Sequence, residues 1–183
     1  MPNNETITPG FRQGLFIVIT GNGKGKTTAA FGQALRAAGH GLRVVIIQFM
    51  KGRAYGEILA LQRYMPQIRL FQYGRDNFVK RDNPAPMDIE VAGQGMQKAR
   101  EIISSGECDL LILDEINVAA DYNLVTEDEI LELINSRPGQ MDLLFTGRYA
   151  SDKIIALADT VSEISAVKHH YDSGINNRVG IEY

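Results

Sequence analysis

At 183 residues, with 44% hydrophobic and 22% charged side chains, the chain has the size and composition of one well-cored globular domain, which excludes disorder. A formal net charge of −3 excludes a global basic field of the kind that holds a nucleic acid backbone. The single cysteine, Cys108, excludes an internal disulfide and a thiolate metal cluster, and it reads as a small core residue before a strand rather than a reactive thiol.

Residues 1–14 (MPNNETITPGFRQG) have neither a basic start nor an apolar run. No secretory leader is expected, residues 1–13 read as a flexible segment, and the cytoplasm is the expected compartment. Leu15 to Thr20 (LFIVIT) is an apolar, β-branched run that predicts a buried strand. After a glycine-rich turn, a helix is expected from about Lys26 to Ala38, with small residues (Ala29, Ala30, Gly32, Ala34, Ala37, Ala38) that let it pack close to a sheet. Gly39 and Gly41 around His40 end it, and His40 reads as a helix-terminal residue rather than a catalytic one. Leu42 to Phe49 is a second buried strand, whose apolar run is far too short to span a bilayer. Gly56 to Tyr64 reads as helix and Ile68 to Tyr73 as strand.

Residues 75–88 form a polar loop carrying Arg75, Lys80, Arg81, Pro84, Pro86 and one aromatic, Phe78. Such a length fits either a lid or a solvated loop. Basic residues beside an aromatic also occur in single-strand nucleic acid contacts, but no second segment of that kind supports the idea. Met87 to Ser104 has a helical pattern, and Leu110 to Leu113 is a buried strand ending in Asp114-Glu115. Thr126-Glu127-Asp128-Glu129 is a capping-box opening for a helix that stops before Pro138. Leu143 to Thr146 supplies a strand, Ser151 caps a helix to about Ala158, and Val161 to Val167 is a last strand. Lys168, His169 and His170 follow it; adjacent histidines on a strand point apart and no third ligand is evident, so no metal is expected there. Alternating helices and continuously apolar strands predict an α/β fold, with a mostly parallel sheet covered on both faces in one domain over residues 1–183.

Residues 20–28 read Thr-Gly-Asn-Gly-Lys-Gly-Lys-Thr-Thr. The phosphate-loop pattern asks for glycine, four residues, then Gly-Lys-Ser/Thr. Gly25-Lys26-Thr27 fits, while Thr20 stands where the first glycine belongs. Gly21, Gly23 and Gly25 let backbone N–H groups turn inward as an anion nest, and the helix from Lys26 aims its positive end at the same place. Lys26 adds a full charge, and the Thr27 hydroxyl suits a Mg²⁺ shell. Lys24 reaches either phosphate or solvent. Asp114-Glu115, at the end of an apolar strand, supply the acidic partner that holds Mg²⁺ directly or through water. Arg148 ends a later strand on the same sheet edge, where it either reaches phosphate or sits on the surface. These residues alone support a magnesium-nucleotide phosphate transferase or hydrolase.

From about Gly14 to Tyr183 the chain also resembles the bacterial ATP:corrinoid adenosyltransferases. The resemblance is carried by Gly21-Asn22-Gly23-Lys24-Gly25-Lys26-Thr27-Thr28-Ala29-Ala30-Phe31-Gly32, by Arg36 with Gly39-His40-Gly41, by Gln48-Phe49 with Lys51-Gly52, and by Leu113-Asp114-Glu115. Asn135-Ser136-Arg137-Pro138-Gly139, Thr146-Gly147-Arg148, Ala158 to Glu163, Val167-Lys168-His169 and Gly180-Ile181-Glu182-Tyr183 complete it. A missing first phosphate-loop glycine is itself a trait of that family. The resemblance implies a RecA-like P-loop fold, a homodimer, a flavoprotein reductase as partner, and ATP with Mg²⁺. In that family Co(I) of a reduced corrinoid attacks the ribose 5′ carbon and triphosphate leaves. It implies Lys26, Thr27 and Glu115 as catalytic residues and Thr27, Asp114 and Glu115 around the metal. Gly21 to Thr28, Arg36 and Arg148 would bind the nucleotide. Family members often carry a Gly-Phe-Thr-Trp segment whose aromatics help strip the cobalt's lower ligand. This chain has no tryptophan and reads Gly74-Arg75-Asp76-Asn77-Phe78-Val79 there, so Phe78 is expected to take part of that role against the corrinoid. The rival readings are a P-loop ATPase or kinase that releases ADP, with Glu115 positioning water or a hydroxyl, and a non-catalytic ATP-binding regulator.

Overall fold

The computed structural model describes residues 13–77 and 79–183. Six strands and six helices follow one another as β1 (Phe16–Thr20), α1 (Lys26–Gly39), β2 (Val44–Phe49), α2 (Gly56–Tyr64), β3 (Arg69–Tyr73), α3 (Pro86–Ser105), β4 (Leu110–Asp114), α4 (Ile116–Asp121), α5 (Glu127–Ser136), β5 (Asp142–Thr146), α6 (Asp152–Leu157) and β6 (Thr160–Glu163). The strands form one sheet in the order β3-β2-β4-β5-β1-β6, and every neighbouring pair is parallel.

Parallel strands need crossovers, and the crossovers place helices over both faces. On one face, α1 buries Ala30, Ala34 and Ala37, spaced to fall on a single stripe, against Ile46, Ile112 and Leu144. On the other, α3 and α5 bury Met96, Ala99, Ile130 and Leu133 with Val45, Leu111 and Leu143. All six residues of β2 are buried, which explains why the strand is apolar but for Gln48. Phe16 and Phe145 meet edge to face at 4.8 Å between ring centroids, joining β1 to β5. The capping box forms as the sequence predicts: Glu129 N–H donates to Thr126 Oγ1 (3.2 Å) and Thr126 N–H to Glu129 Oε2 (3.0 Å).

Three local features differ from the sequence expectation. The short helix α4 begins immediately after Glu115, where no helical period is long enough to read. The last strand stops at Glu163 instead of Val167, because the chain there bends across the phosphate loop and Ile164 gives its carbonyl to Gly23. His169 and His170 do not point apart on a strand; they open a 3₁₀ turn and stack with ring centroids 4.4 Å apart. Among the described residues no helix is long and apolar enough to cross a membrane.

Candidate active site

Parallel strands bring all their C-terminal ends to one edge, and the residues that follow β1, β2, β4 and β5 meet there. The loop between β1 and α1 is shaped by close backbone contact. Gly21 has φ 97°, and a Cβ there would lie 2.5 Å from the Ile164 carbonyl oxygen, so only glycine fits. Gly25, with φ 120°, turns the chain into the first turn of α1. That turn carries orphan N–H groups and the positive end of the helix dipole. The Lys26 ammonium donates back to the Gly23 carbonyl at 2.7 Å. Gly23 departs from the nest expectation: its N–H donates to Ile164 O at 2.6 Å, so the amide is committed within the protein and the glycine serves close packing. Asn22 and Thr28 lie exposed on either side of the loop.

Opposite the loop, the fully buried Asp114 carboxylate collects four donors. Its Oδ1 accepts from Thr27 Oγ1 (3.0 Å) and Thr146 Oγ1 (2.6 Å). Its Oδ2 accepts from Gln48 Nε2 (2.9 Å) and Lys51 Nζ (2.7 Å). Lys51 also donates to Thr27 Oγ1 at 2.9 Å, closing a ring of three side chains from three separate segments. The sequence reading gave Gln48, Lys51 and Thr146 no role at the site. A signal was present: Gln48 is the one polar residue in a wholly buried strand, and it needs a partner at the strand's end.

Glu115 follows with φ 63°, and its N–H donates to Thr146 Oγ1 at 2.9 Å. Met50 (φ 59°) and Tyr149 (φ 64°) stand in the same left-handed region after β2 and β5. Such conformations cost of order 1 kcal/mol or more and cluster where a site demands them. Burial, with the adjacent Asp114 charge, raises the Glu115 pKa against the pull of Lys51, Lys26 and Arg148. Burial lowers the Lys26 pKa, with Glu115 opposing and Arg148 contributing. For Lys51 burial acts downward, but Asp114 outweighs it and holds the ammonium above the ordinary lysine value. Arg148 is exposed at the mouth of this cluster.

Two residues expected at the nucleotide make contacts within the chain. Arg36 lies in the last turn of α1, ten residues from Lys26 and so roughly 15 Å along the axis, where it reaches Gln33 Oε1 at 3.4 Å. Lys24, exposed at its outer side, donates to Ile181 O (2.9 Å) and pairs with Glu182 (3.7 Å), tying the phosphate loop to residues 181–182. Phe78 lies outside the described residues. The loop around it is anchored by Arg75–Asp88 and Arg81–Asp121 ion pairs, both 2.7 Å, and Arg81 also sits over the Tyr149 ring.

Three cations (Lys26, Lys51, Arg148) thus surround a hydroxyl and two carboxylates beside a helix N-terminus, an arrangement suited to a polyphosphate with a hard cation. Among the described residues no group of three or more His, Cys, Asp or Glu is arranged to hold a metal by itself.

The KaiC-like protein of Pyrococcus horikoshii OT3 shares the fold at a TM-score of 0.55 and 15% identity, over 85% of this chain and 73% of that one. That likeness shows an α/β fold of the RecA-like P-loop class. The corrinoid adenosyltransferase of Escherichia coli K12 is 37% identical over 172 residues, covering 93% of this chain and 86% of that protein. Corrinoid adenosyltransferase CobA of Salmonella typhimurium LT2 is likewise 37% identical over 172 residues. The family model of ATP:corrinoid adenosyltransferase BtuR/CobO/CobP matches residues 12–183, and the chain therefore belongs to that family of transferases.

Proposed function

We propose that this enzyme joins the 5′-deoxyadenosyl group of ATP to the cobalt of a reduced corrinoid and releases inorganic triphosphate, in the synthesis or salvage of adenosylated corrinoids. Co(I) supplies the electron pair for the new Co–C bond, and the C5′–O pair departs with the triphosphate. So strong a nucleophile needs no general base, and the protein's work is orientation and leaving-group stabilisation. The observation that carries this reading is the convergence of Lys26, Lys51 and Arg148 on the Thr27–Asp114 pair, in a chain of this family. These charges suit a leaving group that gains negative charge as the bond breaks. The deciding experiment mixes protein, Mg-ATP and chemically reduced corrinoid without oxygen, then reads the cobalt spectrum and the phosphate products. Triphosphate equal to the Co–C bonds formed is expected; stoichiometric ADP with no Co–C bond would favour a P-loop ATPase or kinase instead.

The donor set also fits Mg²⁺. The Thr27 hydroxyl and Asp114 carboxylate are hard oxygen ligands held 3.0 Å apart, and Glu115 adds a half-buried carboxylate beside them. Magnesium is commonly held by one or two carboxylates plus substrate phosphates, so a self-sufficient protein cage is not required. When bound, it would neutralise phosphate charge. Glu115→Gln, and to a lesser extent Asp114→Asn, should raise the Mg²⁺ requirement more than they weaken metal-free nucleotide binding. Unchanged activity of both variants at limiting Mg²⁺ would remove the two carboxylates from the shell. On family grounds the enzyme is further proposed to be a cytoplasmic homodimer served by a flavoprotein reductase. Sedimentation velocity would test the dimer, and a monomer at micromolar concentration would refute it.

A further inference from the structure

We propose that Lys51 is a positioning residue that competes with the metal for the Thr27 and Asp114 oxygens and passes to the triphosphate when metal and nucleotide bind together. The proposal rests on the phosphate-site reading above and adds an ordering device to it. Lys51 Nζ contacts Asp114 Oδ2 at 2.7 Å and Thr27 Oγ1 at 2.9 Å, the same hydroxyl and carboxylate that suit a divalent cation. Two cations cannot share those oxygens at such distances without strong repulsion in so buried a place.

The placement of Lys51 is built in. Met50 takes a left-handed conformation, and its N–H donates to Tyr73 O at 3.0 Å. Gly74 packs so close that a Cβ there would lie 2.2 Å from the Lys51 backbone nitrogen. The backbone is therefore clamped between β2 and β3, while a lysine's four-carbon stem has the rotatable bonds to re-aim its ammonium. Its head lies 5.8 Å from the Tyr55 ring centroid, and its charge is felt at both Lys26 and Glu115, so it stands within the same electrostatic cluster as the phosphate loop.

Charge then sets the order of binding. A divalent cation arriving alone meets Lys26, Lys51 and Arg148 beside Asp114 and Glu115, with Glu57 acting on Lys51 from further off. Arriving with a triphosphate, it brings the anion to which Lys51 can transfer. Lys51 therefore disfavours metal without nucleotide and favours the two together.

The test uses Mn²⁺ as the metal probe, read by the loss of its free electron paramagnetic resonance signal, and inorganic triphosphate as the anion probe, read by calorimetry. Lys51→Met should bind Mn²⁺ alone on the order of tenfold more tightly and triphosphate alone on the order of tenfold more weakly, the scale of one charge-assisted contact. The factor by which triphosphate tightens Mn²⁺ binding should shrink accordingly. Lys51→Arg keeps the charge and should retain weak Mn²⁺ binding, which separates charge from fold; melting curves of both variants identify any that unfold. Weaker binding of both probes to Lys51→Met would make Lys51 a structural strut and overturn the proposal. An unchanged enhancement factor would also overturn it, with the phosphate site intact. Failure of wild-type protein to bind either probe would instead sink the phosphate-site reading, and this proposal with it.

Discussion

Asp114→Ala is expected to destabilise the fold by about 3–5 kcal/mol, the usual cost of removing one partner from a buried ion pair. The carboxylate is fully buried and accepts from Thr27, Gln48, Lys51 and Thr146. Its loss strands an ammonium and a fully buried Gln48 amide, and these orphans cost more than the bonds themselves. For a chain of this size the loss corresponds to a melting temperature lower by roughly 6–20 °C. Urea denaturation in magnesium-free buffer measures it. Adding Lys51→Met should recover part of the loss, because the stranded charge goes with it. A deficit under about 1 kcal/mol, or a double variant no better than the single, would show that solvent reaches and satisfies the pair. Asp114→Asn, which keeps shape and one acceptor oxygen, should lose less.

Lys26→Ala should leave the fold nearly untouched and all but abolish turnover. In the protein alone the ammonium is held by one hydrogen bond to the Gly23 carbonyl, so melting should shift by no more than about 1 kcal/mol equivalent. In the reaction the same charge would face a triphosphate that gains charge as it leaves. Loss of that contact should cost roughly 2–4 kcal/mol in the transition state, or about 30- to 1000-fold in rate. Single-turnover formation of the Co–C bond from preformed Co(I) at saturating ATP isolates the step from reduction and binding. A rate near wild type there would place Lys26 away from the reacting triphosphate.

The sheet and the phosphate loop were legible because each leaves a local signature. Continuous apolar runs of strand length marked β1, β2, β4 and β5, and Gly25-Lys26-Thr27 between a strand and a helix marked the turn. The place of Lys51 in the ring with Thr27 and Asp114 was not, since Lys51 lies 63 residues from Asp114 and 24 from Thr27. Their meeting depends on β2 and β4 becoming neighbours, a fact of topology rather than of spacing. Arg36, assigned to the nucleotide by resemblance, stands in the last turn of α1, ten residues from Lys26. Lys24 could not be resolved from the motif alone because its partners, Ile181 and Glu182, are the last turn of the chain.

The strand order also bears on how the molecule comes into being. Of the six described strands β1 is made before the others, yet its two neighbours in the sheet are β5 and β6, made after the other three. Phe16 waits for Leu143, so about 125 residues must be synthesised in between, roughly 6–25 s at ordinary translation rates. The strands β2, β3 and β4 can already pair during that time, since each lies beside another of the three. Throughout the interval the nascent chain carries Phe16 and Val18 as an unpaired apolar segment, and the candidate site, to which Thr146 and Ile164 contribute contacts, is the last part to close. Ligand therefore cannot assist the early stages of folding, and a ribosome-bound chain stalled before residue 146 should hold no ATP.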